Sequence, residues 1–274
     1  MAKYITDVHA HSTHSHDGRE ELGSMLKTAL QKGLLFFGVS EHIDYDVYTV
    51  KGDNYIDEEA YFHDGRHLQE DYAGCMNVLI GAEFGYTDDE KVQKMYQETY
   101  AKYHPDFVIN SVHCLNGEDY YFGKVFYDAN GKVREKAEVY REYLGIIRRS
   151  LDAPYPYDIV GHIGYIARYV PYEDRRLTLE EFGEEIDDIL KTIIAKDKIL
   201  EVNSSTKGMG LSVTSEEILS RYYALGGRKV SFGADAHDSS RIAENRDAVM
   251  EMLKNIGFTY IIVPDRGEHI KIEV

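Results

Sequence analysis

The sequence predicts an α/β protein, a closed parallel barrel of about seven strand–helix units. Short β-rich runs alternate with longer segments of helical period, and this alternation is typical of a parallel sheet. The strand cores, such as VLIGAEF, FVINSVH and VSFGADAH, are nearly continuous apolar runs, which indicates strands buried on both faces. The first strand leads into HAHSTHSHDG. An open doubly wound sheet usually has a glycine-rich turn at this point, so the barrel is favoured.

Seven strands and seven helices are predicted in turn along the chain. The strands are Tyr4–His9, Leu35–His42, Asn77–Glu83, Phe107–His113, Asp158–His162, Ile199–Asn203 and Lys229–Asp235. The helices are Glu20–Lys32, Asp57–Tyr72, Asp88–Tyr103, Val133–Ser150, Thr178–Ala195, Thr214–Leu225 and Ser240–Asn255. The chain then ends in a strand, a turn and a strand, read from FTYIIV, PDRGE and HIKIEV.

Local signals mark several helix ends. The first helix stops at Gly33, because glycine readily takes the left-handed conformation just after a helix. The fifth helix opens with T-L-E-E, a capping box in which Thr178 is the N-cap and Glu181 follows three residues later. The sixth opens similarly at Thr214. No repeat, linker or low-complexity segment interrupts the pattern, so residues 1–274 are predicted to form one domain.

Composition argues against several classes of partner. The formal net charge of −17 disfavours nucleic acid, because proteins that bind nucleic acid carry basic faces. No apolar run is long enough to cross a bilayer, and the N-terminus lacks the apolar core of a signal peptide. Two cysteines make no disulfide framework, which fits a reducing compartment. We therefore predict a cytoplasmic protein that does not act at a membrane.

Side chains that ligate metals stand at the C-terminal ends of the predicted strands. In chain order they are Asp7, His9 and His11; Glu41 and His42; Glu83; His113; His162; Glu201 and Asn203; and Asp235 and His237. The C-terminal ends of parallel barrel strands meet on one face, where barrel active sites lie. These residues are therefore expected to converge, although they are far apart in the sequence.

The chemistry of these side chains indicates more than one metal ion. Imidazole and carboxylate without thiolate suit zinc, iron or manganese. His9 and His11 are two residues apart and so point to the same side of a strand. A single buried histidine is more often a satisfied core residue than a ligand, but the repetition at successive strand ends argues for a site. Glu83 could bridge two ions.

Seven short motifs carry a family resemblance. They are D-V-H-A-H-S at Asp7–Ser12, S-H-D-G at Ser15–Gly18, G-V-S-E-H at Gly38–His42, G-A-E at Gly81–Glu83, S-V-H at Ser111–His113, G-H-I at Gly161–Ile163 and G-A-D-A-H at Gly233–His237. Together they resemble the PHP family, the polymerase and histidinol phosphatase family. The spacing within GHIGYIARYVPY and LEVN is most similar to the histidinol-phosphate phosphatase branch.

The resemblance implies a distorted (β/α)7 barrel with three metals, so we expect two to three divalent ions of zinc, iron or manganese. The ligands that it implies are His9, His11, Glu83 and Asp235 for the first metal, Glu83, His113 and His162 for the second, and His42, His237 and a loop residue for the third. Many relatives have a histidine where this chain has Asp17. We take Asp17 as the loop ligand, with His16 as the rival.

The resemblance also implies how substrate is held. It places an arginine at Arg168, in Y-I-A-R-Y, to bind the substrate phosphate, a task that suits a bidentate guanidinium. Relatives carry a second arginine after the L-E-x-N strand. Here residues Ser204–Lys207 contain none, and Lys207 is the predicted substitute. Asp7, Glu41 and Asn203 are expected to orient the ligating imidazoles.

The expected activity is metal-dependent hydrolysis of a phosphomonoester, and the branch resemblance implies L-histidinol phosphate, a small molecule of histidine biosynthesis. A metal-bound hydroxide, available because metal binding lowers the pKa of water towards ~7, would attack phosphorus. Arg168 would neutralise the phosphoryl oxygens, and Asp17 or His42 would protonate the departing alkoxide. Two alternatives stay open: a PHP phosphoesterase of another phosphomonoester, a nucleotide or a phosphotyrosyl protein, and a non-catalytic metal-binding module.

Overall fold

The computed structural model describes residues 5–45, 56–115 and 117–274. Its strands are β1 Ile5–Asp7, β2 Leu34–Ile43, β3 Asn77–Gly85, β4 Val108–Ser111, β5 Cys114–Leu115, β6 Glu118–Asp119, β7 Ile159–Val160, β8 Ile199–Asn203, β9 Val230–Gly233, β10 Tyr260–Asp265 and β11 Glu268–Glu273. Its α-helices are α1 Leu22–Gln31, α2 Glu58–Asp71, α3 Glu90–Tyr103, α4 Lys136–Ser150, α5 Leu179–Ala195, α6 Glu216–Ala224 and α7 Arg246–Ile256.

Seven parallel strands form a nearly closed barrel in the order β1-β2-β3-β4-β7-β8-β9. The two outer strands, β1 and β9, meet near their C-terminal ends. There the Val8 N–H donates to the Phe232 carbonyl at 3.2 Å, and the His11 N–H donates to the Ala236 carbonyl at 2.8 Å. Helices alternate with the strands along the chain. The predicted barrel of seven strand–helix units is confirmed.

Two glycines on neighbouring strands make room for one aromatic ring inside the barrel. Phe107 is 1% exposed. A Cβ atom added at Gly81 would lie 2.5 Å from its ring, and one added at Gly38 would lie 2.9 Å from it. Real Cβ atoms do not approach other atoms so closely, so both positions of the sheet need glycine for this packing.

The helix ends agree in part with the predicted signals. Gly33 follows α1 with φ +78°, as predicted. Thr178 is the N-cap of α5, and its side chain accepts a hydrogen bond from the Glu181 N–H at 3.3 Å. The predicted N-cap of α6 is wrong by one residue. Ser215 is the N-cap, because the Thr214 hydroxyl donates instead to the carbonyl of a barrel strand.

Two segments differ from the prediction. The last helix begins at Arg246 rather than Ser240, because Ala243 and Asn245 have φ angles of 57° and 58° and so break the helical conformation. The stretch from 114 to 133 contains a short hairpin, β5–β6, and two 3-10 turns, which the sequence did not predict. The predicted terminal strands are confirmed as the antiparallel pair β10–β11.

Several barrel strands are shorter than predicted, and Tyr4, the first residue of the first predicted strand, lies outside the described residues. In these strands the apolar run of the sequence continues beyond the last hydrogen-bonded residue, so the sequence overestimates the length of the strand. In the described part of the chain, no helix is both long enough and apolar enough to span a membrane.

Candidate metal centre

Four predicted ligands lie two residues past the end of a barrel strand. His9 follows β1, His113 follows β4, His162 follows β7 and Asp235 follows β9. The backbone leaves the sheet at these positions, and the four side chains gather over the C-terminal end of the barrel. Each is 5% exposed or less. A constant offset from the strand end therefore brings together residues that are widely separated in the sequence.

The Glu83 carboxylate lies at the centre of the cluster. Its Oε2 atom is 3.3 Å from His9 Nε2 and 3.0 Å from His42 Nδ1. Its Oε1 atom is 3.0 Å from His162 Nε2 and 3.3 Å from His113 Nε2. The two oxygen atoms thus face different pairs of imidazoles. This is the arrangement that a carboxylate needs in order to bridge two cations.

Asp235 and Asp17 extend the cluster on the side of the β1–α1 loop. Asp235 Oδ1 lies 3.4 Å from His11 Nε2. Asp17 Oδ2 lies 2.8 Å from His237 Nε2, and Asp17 Oδ1 lies 3.8 Å from His42 Nε2. The rival ligand, His16, has its ring centroid 5.6 Å from that of His42. The 2.8 Å contact of Asp17 with His237, a predicted ligand, favours Asp17 over His16.

Four groups of three side chains place one donor atom each within 4.8 Å of the others. They are His11, His42 and His237; His9, His11 and Asp235; His9, Glu83 and His162; and His42, Glu83 and His113. With Asp17, the structure therefore brings all the predicted ligands to one place. The groups overlap, so the division of ligands among individual ions stays a prediction.

The cluster contains polar atoms that lack a partner. Within the described residues, His9 Nε2, His11 Nε2, His42 Nδ1 and Glu83 Oε2 are buried and make no hydrogen bond. Buried polar atoms are rarely left in this state. Since all four point into one cluster of imidazoles and carboxylates, a metal cation fits as their shared partner.

The electrostatics of the cluster are those of a cation site. Burial opposes protonation of His42, but the Glu83 carboxylate outweighs it and raises the pKa of His42 to about 9. Burial would raise the pKa of Glu83, yet His9, His113 and His42 hold it well below its usual range. Without a cation, protons on imidazoles balance the buried carboxylates. Metal binding replaces such protons.

A cavity of about 440 Å³ opens over the cluster, and both predicted substrate-binding residues line it. Arg168 is 8% exposed, and its Nη2 atom donates to Asn203 Oδ1 at 3.0 Å and to Asp235 Oδ2 at 3.1 Å. The Lys207 ammonium lies 4.2 Å from the centroid of the Tyr169 ring. The cluster of candidate ligands and two cationic side chains thus face one cavity.

Comparison with known proteins places this architecture in a family. A family model described as the PHP domain matches residues 7–205, which is most of the chain. This chain belongs to the PHP domain family. The PHP match includes the strand-end motifs from Asp7 to Asn203 and stops before the Asp235–His237 motif, which completes the site in space.

The similar PHP proteins carry related names. A probable histidinol-phosphatase of Clostridium acetobutylicum is 29% identical over 92% of this chain and 93% of its own length. A histidinol-phosphatase of Lactococcus lactis is 29% identical over 92% of this chain and 91% of its own. A crystal structure of the Lactococcus lactis histidinol phosphate phosphatase, complexed with zinc, L-histidinol and phosphate, has a TM-score of 0.83 and 26% identity. The structural alignment covers 98% of this chain and 100% of the Lactococcus lactis chain.

Glu201 orients two residues of the PHP cluster. The ring of His9 is placed to donate from Nδ1 to Glu201 Oε1 at 2.5 Å, which directs Nε2 to the centre of the cluster. Glu201 Oε2 accepts from the His162 N–H at 2.7 Å. Carboxylates in this position fix the orientation of metal-ligating imidazoles. The sequence analysis placed Glu201 at a strand end but gave the orienting role to other residues.

The three predicted orienting residues have other hydrogen-bond partners than imidazole nitrogens in the described structure. Asp7 accepts from backbone N–H groups, Glu41 accepts from serine residues, and Asn203 contacts Arg168 and two carboxylates. Asp7 accepts from the N–H groups of Ala234 and Ala243 at 3.0 and 2.8 Å. Asn203 accepts from Arg168. Asp7 therefore fastens the turn after β9, and Asn203 positions the predicted phosphate-binding arginine.

Glu41 fastens the loop that carries Asp17. Its Oε1 atom accepts from the Ser12 N–H at 2.9 Å and from the Ser12 hydroxyl at 2.5 Å, and its Oε2 atom accepts from the Ser15 hydroxyl. The Ser15 hydroxyl in turn accepts from the His42 N–H at 2.9 Å. Burial raises the pKa of Glu41 to about 7. The loop after β1 is thus bonded to β2.

The cavity has further polar walls that the sequence analysis did not identify. Asp44 is largely buried, and its Oδ2 atom lies 3.3 Å from His113 Nδ1. Its position two residues after His42, in E-H-I-D, repeats the two-residue spacing of the other motifs and could have indicated it. The remaining lining residues include Arg19, Asp119, Tyr121, Phe122 and Arg241. Most belong to turns without a strand-end signal.

Proposed function

We propose that this PHP protein is a metal-dependent phosphatase that hydrolyses L-histidinol phosphate. The observation that carries the proposal is the likeness, over 98% of this chain, to a histidinol phosphate phosphatase that holds zinc, L-histidinol and phosphate. The cluster around Glu83 and the cavity above it supply the corresponding chemistry in this chain. The substrate is thus a small-molecule phosphomonoester.

The metal ligands proposed for this chain are His9, His11, Asp17, His42, Glu83, His113, His162, Asp235 and His237. Their imidazole and carboxylate donors suit two to three ions of zinc, iron or manganese, and the zinc in the Lactococcus lactis structure supports zinc. When bound, such ions act as Lewis acids on phosphoryl oxygens and lower the pKa of water to about 7.

Arg168 is positioned to hold the phosphate. Asn203 and Asp235 fix its Nη2 atom, while its Nε atom is buried and has no hydrogen-bond partner among the described residues. A phosphoryl oxygen would supply that partner. The guanidinium then neutralises charge on the phosphoryl group as the ester bond breaks. Lys207, on the same cavity, adds a second positive charge.

Two residues are candidates for the group that protonates the departing alkoxide. Both Asp17 and His42 line the cavity, and their side chains approach to 3.8 Å. A proton held at whichever of the two does not bind metal is therefore within reach of a leaving group in the cavity. We keep both candidates.

The walls of the cavity suit the organic part of the substrate. L-Histidinol phosphate carries an amine and an imidazole ring, both of which can be cationic. Asp119 is 6% exposed and lines the cavity, where its carboxylate can attract such a cation. Tyr121, Phe122 and Tyr169 also line it and offer aromatic faces to a cation or a ring.

We also propose a cytoplasmic enzyme that does not act on nucleic acid. The net charge of −17 supports this, because a nucleic-acid substrate calls for a basic face.

The decisive experiment measures phosphate release and metal content on the same sample. L-Histidinol phosphate is compared with p-nitrophenyl phosphate, nucleoside monophosphates and a phosphotyrosyl peptide. We expect kcat/KM for L-histidinol phosphate to exceed the others by at least about 100-fold, with two to three metals per chain. A preference for another ester with the same metals would move the substrate and keep the phosphatase chemistry. No turnover of any ester would refute the proposal.

A further inference from the structure

A continuous set of hydrogen bonds links Arg168 to a second cavity arginine, Arg241. The Asn203 Oδ1 atom accepts from Arg168 Nη2 at 3.0 Å and from the Ser205 N–H at 2.9 Å. The Ser205 hydroxyl accepts from Arg241 Nη2 at 3.2 Å. Both guanidinium groups are therefore fixed to the same three-residue segment at the end of β8, and both line the same cavity.

The loop that carries Arg241 is fastened to α1. The Lys32 ammonium donates to the carbonyls of Ser239, Ser240 and Ile242 at 3.1, 3.3 and 2.8 Å. Three carbonyls of one turn thus converge on a single cation. This contact fixes the backbone on both sides of Arg241.

Contacts from other parts of the chain hold the same loop. Asp7 accepts from the Ala243 N–H at 2.8 Å, and the Ser204 hydroxyl donates to the Glu244 carbonyl at 2.8 Å. Ala243 and Asn245 have left-handed φ angles, a conformation that persists for such residues only where the surroundings enforce it. The position of Arg241 is therefore built into the fold rather than left to a mobile surface loop.

The hydrogen bonds of Arg241 leave part of the guanidinium available. Its Nε atom donates to Glu244 Oε2 at 2.8 Å, and Nη2 donates to Ser205. In the described part of the structure, Nη1 has no partner, and the side chain is 33% exposed. A guanidinium held along one side presents its remaining N–H groups in a fixed direction, as bidentate phosphate binding requires.

The charge of the cavity calls for more than one permanent cation. Besides the arginines, five acidic side chains among the described residues line the cavity: Asp17, Asp44, Asp119, Asp235 and Asp238. Asp44, Asp119 and Asp238 are not proposed metal ligands, and their carboxylates repel a phosphomonoester dianion. Arginine keeps its charge at every working pH. Asp235 already offsets part of the charge of Arg168, so a second arginine would increase the attraction of the cavity for phosphate.

We propose that Arg241 is a second substrate-binding arginine, which contacts the substrate phosphate from the β9–α7 loop while Arg168 contacts it from the β7–α5 connection. The inference rests on the proposed phosphatase function. Arg241 lies on a different loop from Ser204–Lys207, the segment in which relatives carry their second arginine. Ser205 is a positioning residue for Arg241.

The test compares R241A and R241K with R176A, whose arginine is 78% exposed and paired with Asp174 outside the cavity. Two quantities are measured on metal-loaded protein: kcat/KM for the best phosphomonoester, and the affinity for inorganic phosphate by calorimetry. We expect R241A to lower both by about 10- to 100-fold, and R241K to recover only part, because lysine offers a point charge. R176A should match wild type.

L-Histidinol without phosphate is the internal control, since its binding should change less than twofold in R241A if Arg241 contacts the phosphate. S205A should weaken phosphate binding two- to fivefold through misplacement of Arg241. If R241A does not fold, R241K decides, and an R241K protein with wild-type phosphate affinity overturns the proposal. Equal phosphate affinity in R241A and wild type does the same.

The two proposals fail in different ways. If wild type hydrolyses only another ester, that ester replaces L-histidinol phosphate in the comparison, and Arg241 is still tested. If wild type hydrolyses no ester, the proposed function fails, while the phosphate affinities of wild type and R241A still decide the role of Arg241.

Discussion

At the scale of single residues, Glu83 is the carboxylate that contacts four imidazoles of the centre. Its two oxygen atoms each face a pair of imidazoles at 3.0–3.3 Å. We expect E83Q to lose bound metal and to lower kcat by about 10³-fold or more, because an amide cannot bridge two cations as a carboxylate does. Elemental analysis and phosphate release check this. The exposed Glu98 supplies the control, E98Q, which should behave as wild type.

Glu201 acts on the centre through His9. Its carboxylate holds His9 Nδ1 at 2.5 Å and is 1% exposed. We expect E201Q to weaken metal binding by about 10- to 100-fold, the usual effect of losing such a partner. The metal concentration needed for half-maximal activity measures the change, and excess metal should restore most of the turnover. A metal requirement equal to that of wild type would contradict the orienting role.

A variant of Asp119 tests how the cavity recognises the organic part of the substrate. We expect D119N to raise KM for L-histidinol phosphate roughly tenfold, or about 1.4 kcal/mol, because the cavity would lose the carboxylate that we propose attracts the substrate cation. KM for p-nitrophenyl phosphate, which has no cation, should stay within twofold. Steady-state kinetics with both esters separate a binding effect from a folding defect, since the latter would affect both equally.

Residue chemistry made the cluster of imidazoles and carboxylates predictable, but not the residues that support it. Apart from Asp17, which lies in the β1–α1 loop, each proposed ligand is an imidazole or carboxylate near the end of a strand, and the sequence displays both features. Asp44 and Arg241 contact the cavity through turns whose conformation depends on tertiary contacts, such as those of Lys32. A pattern of strands and helices carries no information on these contacts.

At the scale of elements, the fit of β2 and β3 around Phe107 is open to a direct test. We expect G81A to reduce the free energy of unfolding by about 1–3 kcal/mol, because the new Cβ would lie 2.5 Å from the Phe107 ring. The matched control is G183A in α5, where a Cβ meets nothing within 4 Å. Alanine favours helix there, so G183A should be neutral or up to about 1 kcal/mol more stable. Urea unfolding measures both.

Element types were predictable and element ends were less so. The strand β8 has the predicted bounds, Ile199–Asn203. The strands β4 and β7 end two residues before the predicted His113 and His162, because hydrogen bonding stops where the backbone turns to present the ligand. The sequence signal for a strand is its apolar character, which does not stop at the same residue.

At the scale of the whole molecule, cations and protons compete for one buried site. In metal-free protein, Glu83 outweighs burial and raises the pKa of His42 to about 9, above the value of about 6.5 in an unfolded chain. A raised pKa stabilises the fold fully below pH 6.5, and that contribution is lost as the pH rises towards 9. We therefore expect the Tm of chelator-treated protein to fall between pH 6.5 and 9.

Metal-loaded protein should show the opposite trend. Deprotonated imidazoles bind metal more strongly, so the stabilisation by bound metal increases as the pH rises from 5 to 8. Thermal melts at matched pH, with and without chelator, give both curves. Chelated protein that is unfolded at every pH would instead favour a purely structural role for the metals.

The overall architecture followed from the alternation of strands and helices, and the structure confirmed it. The PHP domain match supports the same conclusion for residues 7–205. The closure of the barrel was predicted, but the residues that form it were not. The strand pattern does not show which backbone groups pair, such as the Val8 N–H with the Phe232 carbonyl.

The distance along the chain between the outer ligands also has a consequence in time. His9 and His237 are 228 positions apart (237 minus 9), and a ribosome adds about 5–20 residues each second. Roughly 10–45 s therefore pass between the synthesis of the first and the last member of the cluster. During that interval His9 and His11 are exposed without Asp235 and His237, and β1 has no β9 beside it. The nascent protein must remain soluble with an open sheet edge and an incomplete centre, so the final steps of assembly can follow only after His237 has been synthesised.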